Sequence, residues 1–216
     1  MFENPITTYT KMRRIGNLYE KIYDIDNLRK AHKNAKKGKG WYKEVKMIDE
    51  NPEKYLTELQ DMLKNHTYNT SNYEIFYKQE GDKVRKIYKL PYYPDRIAQW
   101  AIIQVIEPYL IKHFIADTYS AIPGRGIHKG LYKLRKELYN NPDNCKYCLK
   151  FDLRHYYQSI NHEILKQKYR KLFKDKELLQ VLDEIIDSVL KYIKGNWECI
   201  MIKTVLTKSS FTTKVY

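Results

Sequence analysis

Apolar residues at helical spacing predict several helices along the chain. One begins at Asn51-Pro52, because asparagine can cap a helix and proline suits its first position. A second begins at Asp95 and is apolar on most sides, so we expect it to be buried, with a bend or break at Glu107-Pro108. Two more helices are predicted over residues 162–173 and 176–190. The chain is therefore expected to be mostly helical.

Two other segments have the pattern of strands. Residues 73–77 and 84–90 are β-favouring runs joined by residues 79–83, whose glycine favours a hairpin turn. Residues 145–153 alternate, with apolar residues on one face and Lys150 and Asp152 on the other. This alternation predicts a strand with one face in the core and the other in a cleft. A Pro-Gly-Arg-Gly loop at 123–126 opens a further amphipathic helix.

The net charge of the chain indicates a class of binding partner. The 216 residues include 40 Lys and Arg against 26 Asp and Glu, a formal net charge of +14. Nucleic acid is the first partner to consider, because a cation that neutralises a phosphate releases condensed counterions. Cations recur in nearly every turn of residues 11–46, which fits either an arm along phosphates or a solvated helix face.

The composition also sets limits on compartment and size. The length fits one compact unit, or one domain with an appendage, and three cysteines exclude a disulfide scaffold. No apolar run reaches about 18 residues, so no membrane partner is expected. The first residues show no secretory signal, so a cytoplasmic location is expected. Cys145 and Cys148 form a lone CxxC whose sulfurs would point to opposite faces of a strand, which argues against a metal or redox site.

The order of four blocks resembles the amino-terminal half of bacterial reverse transcriptases, of the group II intron, retron and diversity-generating retroelement types. The resemblance covers residues 12–188. The blocks are the basic hairpin, then Leu90-Pro91-Tyr92-Tyr93-Pro94-Asp95-Arg96-Ile97-Ala98-Gln99, then Thr118-Tyr119-Ser120-Ala121-Ile122-Pro123-Gly124-Arg125-Gly126-Ile127-His128, then Leu149-Lys150-Phe151-Asp152-Leu153-Arg154-His155-Tyr156-Tyr157-Gln158-Ser159-Ile160-Asn161-His162.

The resemblance implies an α+β fold, an incomplete right-hand polymerase fold with a basic β-hairpin and a palm strand. Residues 1–145 would be the fingers and the start of the palm, with a basic helical arm at the amino terminus. Residues 146–190 would be a partial palm with the first catalytic block. Residues 191–216 form an irregular tail to which the resemblance does not extend.

The resemblance also implies site residues. Asp152 matches the first catalytic carboxylate, which would hold Mg²⁺; a helix-capping aspartate is the structural alternative. Tyr157 matches the aromatic residue that favours deoxynucleotides. The remaining matches are cations: Arg85, Lys86 and Lys89 for the triphosphate or template backbone, and Arg96 and Arg125 for the template or nucleotide site. Arg96 is equally suited to a structural ion pair with its neighbour Asp95.

The sequence lacks parts of the complete polymerase pattern. It contains no Asp-Asp pair, whereas two-metal polymerisation needs at least two further carboxylates. We therefore expect a fragment of an RNA-directed DNA polymerase, a nucleotidyltransferase from a retroelement that is inactive alone. The complete enzyme would take an RNA template, a DNA primer and dNTPs. The alternative hypothesis is an RNA-binding or phage-defence accessory module that performs no synthesis.

Overall fold

The computed structural model describes residues 13–153 and 160–192. The α-helices of these ranges are α1 (Tyr19–Tyr23), α2 (Ile25–Ala35), α3 (Lys43–Glu50), α4 (Pro52–Lys64), α5 (Ile97–Ile111), α6 (Ile127–Asn140), α7 (His162–Leu172) and α8 (Lys176–Asp187). The strands are β1 (Glu74–Glu80) and β2 (Lys83–Lys89). Short helical turns cover Tyr92–Arg96, Pro142–Cys145 and Ser188–Tyr192. The predicted class, α+β and mostly helical, is confirmed, while the right-hand polymerase fold remains a prediction.

Helix α5 is the centre of the core. Its residues Ile97, Ile102 and Ile106 are fully buried, and it packs mainly against α2. The side chain of Gln104 fixes this pair of helices, because its amide donates to the backbone oxygen of Asn27 at 2.7 Å. Of the bend or break predicted at Glu107-Pro108, the break is wrong, since α5 continues to Ile111, while the bend stays a prediction. Pro108 is exposed, and the buried residues Ile106 and Leu110 on either side of it hold the helix together although proline lacks one backbone donor.

Local capping signals act where the sequence predicts them. The side chain of Asn51 accepts a hydrogen bond from the amide of Lys54 at 3.4 Å, and Pro52 is the first residue of α4. Leu56, Leu59 and Leu63 then face the core. The predicted start of this helix is confirmed.

The hairpin is also confirmed. Strands β1 and β2 pair antiparallel, with Glu74 opposite Lys89 and Glu80 opposite Lys83. The turn between them is Gly81-Asp82, and Gly81 has a φ of 60°, which glycine adopts without strain. Every residue of β1 is exposed, whereas Tyr88 of β2 is buried. The hairpin therefore projects from the helical core and contacts it through one end of β2.

Helices α7 and α8 belong to the same core as the amino-terminal helices. Phe173, between the two helices, is fully buried, and Leu178 of α8 lies in the same cluster as Ile22 of α1. The backbone amide of Ile15 donates to the carbonyl of Leu172 at 2.8 Å. Both predicted helices are confirmed, and residues from either side of position 145 share one core. The domain boundary itself remains a prediction.

Residues 127–153 are attached only loosely to this core. Helix α6 forms as predicted but has no buried residue. Residues 146–153 form neither helix nor strand, so the predicted palm strand is wrong for this structure. A strand needs a neighbour for its backbone hydrogen bonds, and the only sheet in the described residues is β1-β2. The apolar side chains that were predicted to face the core are instead 60% to 96% exposed: Tyr147, Leu149, Phe151 and Leu153.

Among the described helices, none has the length and apolar character needed to cross a lipid bilayer. This finding agrees with the sequence, which contains no long apolar run.

Candidate nucleic-acid interface

The three predicted cations of β2 are exposed or partly exposed, and each has a neighbour. Arg85 forms an ion pair with Glu80, with its Nε 3.0 Å from the carboxylate. Lys89 donates to the carboxylate of Glu74 at 2.9 Å, and this hydrogen bond raises the pKa of Lys89. The Nζ of Lys86 lies 5.5 Å from the ring centroid of Tyr88. A phosphate that binds these cations must therefore compete with carboxylates at two of the three positions.

Arg96 is the most enclosed of the predicted cations. It is half-buried at the start of α5, and its buried Nε has no hydrogen-bond partner. Burial lowers the pKa of its guanidinium. Lys39 lies close enough that the charge of Arg96, added to burial, lowers the pKa of that lysine. Two cations are thus held near each other in partly desolvated surroundings, which favours an anion beside them.

The carboxylate of Asp95 does not form an ion pair with Arg96. This aspartate is fully buried, and its Oδ1 accepts hydrogen bonds from the hydroxyl of Tyr68 at 2.9 Å and from the amide of Ser71 at 3.1 Å. Its Oδ2 is buried without a hydrogen-bond partner. The ion pair that the sequence left open is therefore not formed, and the guanidinium of Arg96 is not neutralised by its neighbour.

Arg125 lies in the loop that precedes α6. Its backbone amide donates to the carbonyl of Ile122 at 3.0 Å, and Gly124 between them has a φ of 72°. The side chain is half-buried, and its Nη1 is buried without a hydrogen-bond partner. The loop holds this cation at the start of α6 with its donors only partly accessible, and its role at the template or nucleotide site stays a prediction.

Asp152 is exposed and lies in the segment without regular structure. Across residues 13–153 and 160–192, no three His, Cys, Asp or Glu side chains come close enough to hold a metal ion. Mg²⁺ is usually held by one or two protein carboxylates together with water and substrate phosphates, so Asp152 could supply one ligand but does not by itself complete the site. Cys145 and Cys148 form no disulfide. Tyr157 lies outside the described residues.

The turn between α2 and α3 is a feature that sequence reasoning missed. It contains Gly38, with a φ of 67°, and it ends at Trp41 and Tyr42, whose side chains are exposed. An open cleft of about 590 Å³ separates this turn from the hairpin. The cleft is lined by Trp41, Tyr42, Lys43, Glu44, Glu74, Phe76 and Lys89. The sequence does contain a signal for this cleft, because Trp41 and Tyr42 lie between Lys39 and Lys43. Aromatic residues beside cations are typical of sites that bind single-stranded nucleic acid.

The same turn carries a large excess of positive charge. Residues 29–46 include eight Lys and Arg and one acid, Glu44. Arg29 is held by Glu53, with its Nη2 2.7 Å from the carboxylate, and Lys36 by Asp49 at the same distance. Five other lysines of this segment are exposed: Lys30, Lys33, Lys37, Lys43 and Lys46. We name residues 29–46 the basic segment.

No protein-family model matches this chain, and no curated protein matches it. The relation to reverse transcriptases therefore stays a prediction that depends on the four sequence blocks and their order.

Proposed function

We propose that this chain binds RNA as the fingers and first palm segment of a protein related to reverse transcriptases. The observation that carries the proposal is the set of exposed lysines on the basic segment, whose residues 41–44 lie across a cleft from the cationic hairpin. Nucleic-acid backbones are the commonest cellular polyanions that match an extended row of cations. The four sequence blocks favour RNA over other polyanions.

DNA synthesis is a second part of this proposal and depends on groups beyond the described residues. Two-metal phosphoryl transfer needs several carboxylates around the ions, and Asp152 is the single predicted ligand. We therefore expect no primer extension on an RNA template by the purified chain. Extension by the chain alone would contradict the fragment interpretation, and it would show that other residues complete the metal site.

The salt dependence of RNA binding tests the binding proposal. A single strand contributes a slope of about 0.7 in log affinity against log salt for each phosphate that a cation neutralises. If the five exposed lysines of the basic segment each contact one phosphate, the slope is about 3 to 4. Substituting Lys33, Lys37 and Lys43 together with alanine should lower this slope by about 2.

A matched control separates local contacts from the effect of total charge. Lys64, Lys171 and Lys176 are also exposed, and they lie on α4, α7 and α8. The triple alanine variant at these positions loses the same charge and should leave the slope nearly unchanged. If the slope of log affinity against log salt falls equally in both triple variants, the basic segment is not the RNA-binding surface.

The accessory-module alternative is favoured by one observation in the sequence, which contains no Asp-Asp pair to complete a two-metal site. A module that only binds RNA does not need the carboxylate of Asp152. In a cellular assay of the intact system, Asp152→Ala would then keep function, whereas charge reversal of Arg85, Lys86 and Lys89 would abolish it. Loss of function in Asp152→Ala, with RNA binding preserved, would instead favour a polymerase.

A further inference from the structure

The cleft between the basic segment and the hairpin combines aromatic rings with cations. Trp41 is 68% exposed on one side, and Phe76 of β1 is 39% exposed on the other. Tyr42 stands beside Trp41, with ring centroids 5.4 Å apart and ring planes at 82°. Single exposed aromatic residues are ordinary on protein surfaces, but three around one opening form an apolar site with flat walls.

Three cations lie near Tyr42, which lines this cleft. The Nζ of Lys39 lies 5.9 Å from the ring centroid of Tyr42. The phenol of Tyr42 is also near enough to Lys89 and Arg96 to influence the pKa of both. Arg96 contributes the buried Nε that has no protein partner. A ligand at Tyr42 would therefore meet positive charge, whereas the Nε of Arg96 is too enclosed to donate to it.

The carboxylates of the cleft are already bound by protein donors. Glu44 accepts a hydrogen bond from the backbone amide of Tyr92, and Glu74 accepts one from Lys89. Lys43 is exposed at the same opening. Glu74 is neutralised by Lys89, and Lys43 offsets the charge of Glu44, so the excess positive charge comes from Lys39 and Arg96 near Tyr42. An aromatic wall beside positive charge suits a ligand with a flat ring and an anionic group.

We propose that this cleft binds an unpaired nucleotide of a single-stranded nucleic acid, with its base stacked on Trp41 and its phosphate near Lys39, Lys43 and Arg96. This inference rests on the proposed RNA-binding function and narrows it to one site. A single strand is required, because bases within a duplex do not offer their faces to a side chain. Stacking involves no base edge, so the site should accept any of the bases.

The test compares two ligands with the same phosphates. Binding of the full chain is measured with an oligouridylate of about 12 nucleotides and with an abasic strand of equal length and charge. Trp41→Ala should weaken binding of the oligouridylate about 10-fold, within the range for loss of one stacked base, and change binding of the abasic strand less than about 2-fold. Trp41→Phe should keep most of the affinity.

The controls distinguish failure of this site from failure of the proposed function. Tyr139 on α6 is 87% exposed, and Tyr139→Ala removes an aromatic ring of similar exposure without touching the cleft. It should bind both strands like the unsubstituted chain. If Trp41→Ala weakens both strands equally or neither strand, the stacking site is wrong while RNA binding stands. If the unsubstituted chain binds neither strand, both proposals are overturned.

Discussion

Removing the carboxylate of Asp175 is expected to loosen the connection between the first and last parts of the described chain. Asp175 precedes α8, and its two oxygens accept backbone amides from the segment before and at the start of α1: Asn17 at 2.7 Å, Leu18 at 2.5 Å and Tyr19 at 3.3 Å. Asn17 has a φ of 60°, a left-handed conformation that these hydrogen bonds help to hold. One side chain therefore fixes the turn before α1 against α8.

The expected magnitude follows from the number and exposure of these bonds. A hydrogen bond to a charged group contributes about 1.5 to 3 kcal/mol. Asp175 is only partly buried, so water replaces some of what is lost and the three bonds do not add. We expect Asp175→Ala to lower the free energy of unfolding by about 2 to 3 kcal/mol. Asp175→Asn keeps one acceptor oxygen and should cost about 1 kcal/mol.

Urea unfolding at neutral pH measures this change, and amide hydrogen exchange locates it. The amides of Leu18 and Tyr19 should lose protection in Asp175→Ala, because they lose their acceptor. Asp82→Ala, in the exposed hairpin turn, is the matched control and should stay within about 0.5 kcal/mol of the unsubstituted chain. If Asp175→Ala loses no more free energy of unfolding than Asp82→Ala, the role assigned to the Asp175 carboxylate is refuted.

Three further predictions concern pH and packing. Burial raises the pKa of Tyr19 to about 12, so the free energy of unfolding should fall as pH rises from about 10 to 12. Tyr19→Phe should reduce that fall in alkaline melts but not remove it, because burial also raises the pKa of Tyr68, Tyr92 and Tyr93. The hydrogen bond from Lys36 holds the pKa of Asp49 below its usual value. The stability that ionised Asp49 contributes is therefore present above about pH 4 and is lost in more acidic solution. In acid melts, Asp49→Asn should make the free energy of unfolding less dependent on pH below about pH 4. Leu59→Ala removes a fully buried side chain and should cost about 2 to 5 kcal/mol in urea unfolding, whereas Leu138→Ala, 48% exposed on α6, should cost less than about 1 kcal/mol; equal costs would contradict the exposed position of α6.

The accurate part of the sequence interpretation depends on short-range signals. The cap at Asn51, the turn glycine Gly81 and the helical spacing of α8 each involve residues within one or two turns of the chain. Such signals act largely independently of the rest of the fold, because a cap or a turn is satisfied by its own neighbours.

The inaccurate part concerns segments whose state depends on distant neighbours. Pro108 predicts a bend or a break, but burial of Ile106 and Leu110 keeps the helix continuous. Residues 146–153 alternate like a strand, yet no strand of the described residues pairs with them. Alternation indicates which side chains share a face, but it cannot supply the partner that makes a strand stable.

The amino-acid sequence by itself determined helices α4 to α8, the hairpin and the excess of positive charge, because these follow from residue type and short-range spacing. Only the tertiary structure brought Trp41 across a cleft from Phe76, left Arg96 with an unused buried donor, and turned Asp95 toward Tyr68. These arrangements join residues far apart in the chain, and their geometry is set by how the helices pack around α5.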